Sequence, residues 1–272
     1  MRGAVVVLAA LLAATAAGCG GSSEAAPPTT TVHQLRQFRI VFPEGFTRAR
    51  MAQRVQAVAK IAEHESKRKV KLSGPAYVAV TAKPRRMPGF GAEKLPLEGF
   101  LFPDTYDFDR KSTSAQLSNV QLQEFTSKWR TLNLSYAESK NLTPYDVLTI
   151  ASMVEGEAQV PSERPLVAAV IYNRLRAGMP LGIDATLRYG LHIPPTESLT
   201  QSELHNPTPY NTRLHDGLPP TPINNPGLAA LEAAAHPAHV DYLYFVRKPD
   251  HRHHYFTSNY QDFLRHEAQY GY

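Results

Sequence analysis

Apolar positions along the chain fall into blocks of different period, and the first is the least ambiguous. After Arg2 a small and apolar run extends from Ala4 to Ala17, the pattern of a signal-peptide core and too short for a bilayer helix. Residues 20–34 (GGSSEAAPPTTTVHQ) carry almost no apolar surface and predict a flexible tether. Periodic structure begins near Leu35. Gln37–Phe42 mixes aromatic and β-branched residues as a strand does, Pro43-Glu44-Gly45 turns the chain, and Thr47–His64 has helical spacing. Between Ser73 and Leu101 the Pro and Gly positions predict loops and short strands, and helical spacing returns over Leu117–Leu132.

The second half is more strongly marked. Thr143-Pro144-Tyr145-Asp146 reads as a capping box with proline in the first turn, and a helix from Pro144 to about Ala158 follows. Its residues Val147, Leu148, Ile150, Ala151 and Val154 form a broad apolar stripe with Glu155 at its edge, facing protein or a cleft. Glu157 is about 200° further round and should point away from Glu155. A second helix is expected over Ser162–Arg176, capped by Ser162 and stopped by Gly178, with Asn173 on its buried face. From Ile193 to Gly227 prolines leave little room for regular elements, which suggests a functional loop forming one wall of a substrate groove. A short helix over Leu228–His236, a hairpin of Tyr242–Arg247 and His254–Ser258, and a closing helix over Asn259–Tyr270 complete the pattern. The fold class is therefore α+β: a small N-terminal α+β lobe and a mixed α/β catalytic lobe built around the helix carrying Glu155. The expected divisions are a signal peptide at 1–18, a tether at 19–34, the N-terminal lobe with its connecting segment at 35–140, and the catalytic lobe at 141–272.

Composition adds little to this picture, and one cysteine adds much. A net charge of +5 and a pI near 9.2 favour anionic partners, but the basic residues are dispersed and no nucleic-acid partner is indicated. The only cysteine, Cys19, follows Ala16-Ala17-Gly18 directly after the apolar run. It cannot form an internal disulfide, and its position matches the acylated cysteine of a bacterial lipoprotein. An unprocessed anchor helix is the alternative, and both place the remainder outside the cytoplasm, at the membrane.

Three chemistries compete for the site. Glu155, set against apolar helix residues, should hold a proton to higher pH than usual and so suit acid catalysis at a glycosidic bond. Hydrolases add a second carboxylate; spacing identifies none, although Asp184 or Glu163 could approach in three dimensions. His236, His239, His251, His253 and His254 lack the spacing of metal ligands, and HRHH reads as a solvated hairpin turn. No Gly-x-Ser-x-Gly elbow supports a serine nucleophile. Neither a metal nor a cofactor is expected.

Several motifs in order resemble one family. They are Leu97-Glu98-Gly99-Phe100-Leu101-Phe102-Pro103-Asp104-Thr105-Tyr106, Ile150-Ala151-Ser152-Met153-Val154-Glu155-Gly156-Glu157, Tyr172-Asn173-Arg174-Leu175, Tyr210-Asn211-Thr212, Gly217–Gly227, His236-Pro237-Ala238 and Tyr242–Val246. Together they are similar to the endolytic murein transglycosylases, the YceG-like family. The resemblance implies an enzyme that cleaves the β-1,4 bond between N-acetylmuramic acid and N-acetylglucosamine within a peptidoglycan strand, leaving a 1,6-anhydromuramic end and terminating nascent strands. It implies that Glu155 first protonates the leaving oxygen and then, as a carboxylate, helps deprotonate the C6 hydroxyl that attacks the anomeric carbon. On this basis Glu155 is the candidate catalytic residue, and Asn173, Asp184, Tyr210, Asn211 and Thr212 are candidate substrate contacts. The partners implied are glycan strands, a membrane reached through the lipid on Cys19, and peptidoglycan synthases. A non-catalytic wall-binding lipoprotein and a hydrolytic muramidase are the alternatives. Two departures stand out: Gly156 stands where the family often has a charged residue and should weaken the helix end by about 1 kcal/mol, enough to let it fray, and the short N-terminal lobe leaves little room for the LysM-like subdomain common among relatives.

Overall fold

The computed structural model describes residues 36–194 and 196–271. The expected signal peptide, the tether and Cys19 lie outside the described residues. The remainder belongs to one compact unit in which helices predominate over two small sheets, an α+β fold.

Strand β1 (Phe38–Val41) leads through the Pro43-Glu44-Gly45 turn into α1 (Arg48–Ser66), whose N-cap Thr47 accepts from the Arg50 N–H. The next element departs from expectation. Ser73 caps a helix, α2 (Gly74–Thr81), with a proline in its first turn, where loops and strands were expected. Pro75 was read there as a breaker, yet in the first turn of a helix it removes an N–H that has no partner anyway. Strand β2 (Thr105–Phe108) pairs antiparallel with β1, Ile40 opposite Tyr106. Helix α3 (Ser114–Trp129) follows with a complete capping box at Thr113 and Gln116. Between Leu95 and Phe102 the chain runs without regular structure through the core, where Leu97, Phe100 and Leu101 are fully enclosed and Phe90, Phe125 and Trp129 pack around Phe100 and one another. Such a segment cannot bond its own backbone groups and must find partners elsewhere.

A four-residue helix, α4 (Ser135–Glu138), precedes α5 (Pro144–Glu157), which begins at the expected capping box: the Thr143 hydroxyl accepts from the Asp146 N–H, and Asp146 accepts from the Thr143 N–H at 2.7 Å. The expected apolar stripe is an underestimate. Every residue from Val147 to Val154 is buried, because α5 is covered by neighbouring helices on several sides. Its two hydroxyls stay satisfied by bonding backwards, Thr149 to the Tyr145 carbonyl and Ser152 to that of Thr149. Gly156 does not fray the helix end. It lies within α5, and a Cβ there would fall 3.0 Å from Ala185 Cβ, so the glycine serves close helix approach.

Helix α6 (Arg164–Arg176) is entered through a 3-10 turn at Pro161–Glu163 rather than from a Ser162 cap, and it stops at Gly178 in the left-handed region as expected. Helix α7 (Asp184–Leu191) was not anticipated. In the proline-rich stretch that follows, the one helix among the described residues is the four-residue α8 (Gln201–Leu204). Helix α9 (Leu228–Ala235), the hairpin β3 (Tyr244–Arg247) with β4 (His254–Thr257), and α10 (Tyr260–Tyr270) match the expected order. The HRHH turn is not uniformly solvated: His254 is buried, with Nδ1 2.8 Å from Glu163 Oε2.

Candidate active site

The geometry around Glu155 is built from three separate stretches of chain. Glu155 stands on the last turn of α5, one turn beyond Ser152, whose hydroxyl accepts from the Ile223 N–H at 3.0 Å while its carbonyl accepts from the Asn224 amide at 2.8 Å. These bonds lay the end of the proline-rich segment along α5 and bring Gly227, the N-cap of α9, up to the carboxyl group. The Gly227 N–H donates to Glu155 Oε2 at 3.1 Å. From α6, Arg164 Nη2 approaches Glu155 Oε1 at 3.9 Å and Glu44 Oε2 at 3.8 Å. Glu155 keeps 8 % of its side chain exposed, against 48 % for Glu44.

Burial is the main cause that pushes the Glu155 carboxyl above its usual range; the Glu44 charge adds to it, and the Gly227 N–H and Arg164 oppose it. The group thus holds its proton more firmly than an ordinary glutamate does. Arg164 also lines an open cavity of about 450 Å³ together with Pro161, Pro165, Ala229, Glu232 and His236.

Glu44 is the residue the sequence analysis passed over as part of a turn. Gly45, with φ of 73°, reverses the chain so that the Gly45 N–H donates to the Asn225 carbonyl and the Asn225 N–H to the Phe46 carbonyl, both at 3.0 Å. The Glu44 carboxylate then rests against the bare α-carbon of Gly227, where a Cβ would lie 1.8 Å from Glu44 Oε1. Both carboxylates lie within 4 Å of one guanidinium nitrogen, hence no more than about 8 Å apart, a limit that admits the spacing of paired glycosidase carboxylates. A signal was present. The chain contains Glu-Gly at 44–45, 98–99 and 155–156, and all three pairs converge on residues 223–227.

The third of these carboxylates, Glu98, is a structural neighbour of the site. Its Oε1 accepts from the Arg48 N–H at 2.8 Å and the Asn225 amide at 2.9 Å, and Tyr189 donates to its Oε2 at 3.2 Å. Asn225 Oδ1 in turn accepts from Gly99 and Leu101, supplying the partners that the irregular core segment requires.

The other sequence-nominated residues are dispersed. Asn173 donates to the carbonyls of Val240 and Tyr242, both at 2.9 Å, and so ties α6 to the segment that leads into β3. Asn211 is wholly buried and donates to the Leu204 and Asn206 carbonyls. Buried Thr212 accepts from the Ile183 N–H and pairs with the Thr186 hydroxyl. Tyr210 meets the Thr221 hydroxyl at 2.9 Å and packs its ring on Tyr189. Asp184 begins α7 and pairs with Arg213 at 2.6 Å in a half-exposed position. Glu163 is taken up by His254, and Glu157 turns from Glu155 towards the Ala185 N–H at 3.3 Å and Arg247 at 3.9 Å. Among the described residues no group of three or more His, Cys, Asp or Glu is placed to hold a metal ion.

Known proteins are similar to this chain. A model of the YceG-like family matches residues 22–269. An endolytic murein transglycosylase of Bacillus subtilis is 38% identical over 157 residues, 57% of this chain and 43% of that protein. One of Streptococcus pneumoniae is 35% identical over 178 residues, 64% of this chain and 32% of that protein, so the chain spans less than half the length of either relative. A crystal structure of a YceG-like protein from Listeria monocytogenes superposes with a TM-score of 0.66 at 28% identity, covering 84% of this chain and 75% of that one.

Proposed function

The chain belongs to the YceG-like family, and on that footing we propose that it is an endolytic peptidoglycan lytic transglycosylase acting outside the cytoplasm. It cuts the β-1,4 bond between N-acetylmuramic acid and N-acetylglucosamine, leaves a 1,6-anhydromuramic end and so terminates nascent strands beside the synthases that make them. Cys19 bears the lipid that holds it at the membrane. The observation that carries the reading is the state of Glu155: a nearly enclosed carboxyl, raised by burial, with its Oε2 bonded to the Gly227 N–H. A carboxyl whose surroundings raise its proton affinity can donate to the glycosidic oxygen as the bond breaks. The carboxylate so formed is met by the Gly227 N–H and the N-terminal end of α9, which favour negative charge, and by Arg164. That anion then draws the proton from the C6 hydroxyl, whose oxygen closes on the anomeric carbon, and no water is consumed.

A hydrolytic muramidase is the second reading, favoured by the Glu44 carboxylate across Arg164. Mass spectrometry of glycan strands digested by the purified protein separates the two, since an anhydro end is lighter by one water than a reducing end. Anhydro ends are expected, and predominantly reducing ends would refute the transglycosylase reading. Glu155→Gln, which conserves shape but has no proton to give, should lower cleavage at least about a thousandfold with little change in melting temperature. Wild-type turnover by that variant would remove Glu155 from the role.

A further inference from the structure

Arg164 is poised between two carboxylates without being committed to either. Its Nη2 stands 3.8 Å from Glu44 and 3.9 Å from Glu155, beyond hydrogen-bonding distance of both, and its buried Nε has no hydrogen-bond partner. A guanidinium beside one buried carboxylate normally forks onto it with two short bonds, and such a pair holds the carboxylate ionised. An acid catalyst in that state has no proton to donate. Glu44 prevents it. The turn that carries Glu44 is bolted to residue 225 by two backbone hydrogen bonds, and the missing side chain of Gly227 leaves the space its carboxylate occupies. The same turn brings Gly45 against the Glu155 side chain, where a Cβ would sit 3.5 Å from Glu155 Cγ.

Resting on the transglycosylase reading, we infer that Glu44 is a positioning residue of the reaction: it holds the Arg164 guanidinium off Glu155, so that Glu155 meets the substrate as an acid rather than as half of an ion pair. The groups facing Glu155 are Glu44 from the turn after β1, Arg164 from α6 and the Gly227 N–H from α9. Glu232 and His236 of α9 line the cavity that Arg164 borders. Removing the Glu44 charge takes away a repulsion that favours the protonated acid, and it frees Arg164 to close on Glu155. Both changes favour the ionised form.

The test is the pH profile of kcat/KM, whose basic limb follows loss of the proton from the acid. In Glu44→Gln the basic limb should move to lower pH by about one unit, and Glu44→Asp should restore part of the shift. A purely structural role would instead depress activity equally at all pH values. The wild-type product is analysed in the same preparation. Wild-type anhydro ends with an unshifted Glu44→Gln limb overturn the inference and leave the transglycosylase reading standing. Reducing ends from the wild type, with turnover lost at every pH in Glu44→Gln, overturn both, because Glu44 would then be activating water.

Discussion

Enclosed between α1, α7 and Asn225, Glu98 has its carboxyl pushed up to about 7, chiefly by lost hydration and against the hydrogen bonds from Arg48, Tyr189 and Asn225. In the unfolded chain the same group ionises near 4.5. The folded protein therefore binds a proton that the unfolded one releases between these values, and stability from this group is fully present below about 4.5 and lost as pH rises to about 7. The size is about 3 kcal/mol. Glu98→Gln retains an acceptor for the Arg48 N–H and cannot ionise. Urea unfolding of both proteins from pH 4.5 to 8 should show the wild type losing stability relative to the variant as pH rises. A difference independent of pH would show that Glu98 titrates normally. Burial raises the proton affinity of Glu155 by the same physics.

At the scale of elements, the decisive piece is the irregular strip from Pro222 to Gly227. Ser152 and Asn224 fasten it to α5, and Asn225 fastens it to everything N-terminal. The Asn225 side chain alone accepts from Gly99 and Leu101 and donates to the Phe46 carbonyl and to Glu98. Asn225→Ala leaves the buried Gly99 and Leu101 N–H groups without their partner, at about 1–3 kcal/mol for each that water cannot reach, while the Phe46 carbonyl keeps the N–H of residue 225 and Glu98 keeps Arg48 and Tyr189. We expect a destabilisation of about 3 kcal/mol or more and a melting temperature lower by about 6–12 °C. Loss of activity should accompany it, because the strip also aims the Gly227 N–H at Glu155 and seats Glu44. A thermal shift under about 2 °C, less than a single kcal/mol would cause, would mean that other groups satisfy this segment.

At the scale of the whole molecule, the proposed membrane attachment belongs to residues 1–34 and the fold to the described residues. Among the described residues no helix is long and apolar enough to cross a membrane. On the proposed reading, Cys19 and the run before it hold the protein at the membrane. Cys19→Ala should move the protein from the membrane to the soluble fraction, or arrest its processing, when expressed in a bacterial host and fractionated. Unchanged processing and retention would favour an uncleaved apolar helix. The helices were legible where capping chemistry and 3.6-residue spacing agreed, as at Thr143 and over α5, α9 and α10. They were missed where a helix begins at Ser73 with Pro75 in its first turn, and at α7, whose N-cap Ile183 makes no side-chain cap bond. Glu155 could be singled out because its motif and its place at the edge of an apolar helix are local properties of a short stretch. The same stretches could not reveal that Asn211 and Thr212 brace a loop, that Glu98 is sealed in the core, or that Glu44 shares Arg164 with Glu155. Those outcomes depend on which backbone groups lack partners once the chain has packed and on which carboxylates lose water. Hydrogen bonding and desolvation across distant segments are settled only by the tertiary structure, so the sequence singled out Glu155, and the fold decided which groups raise its proton affinity.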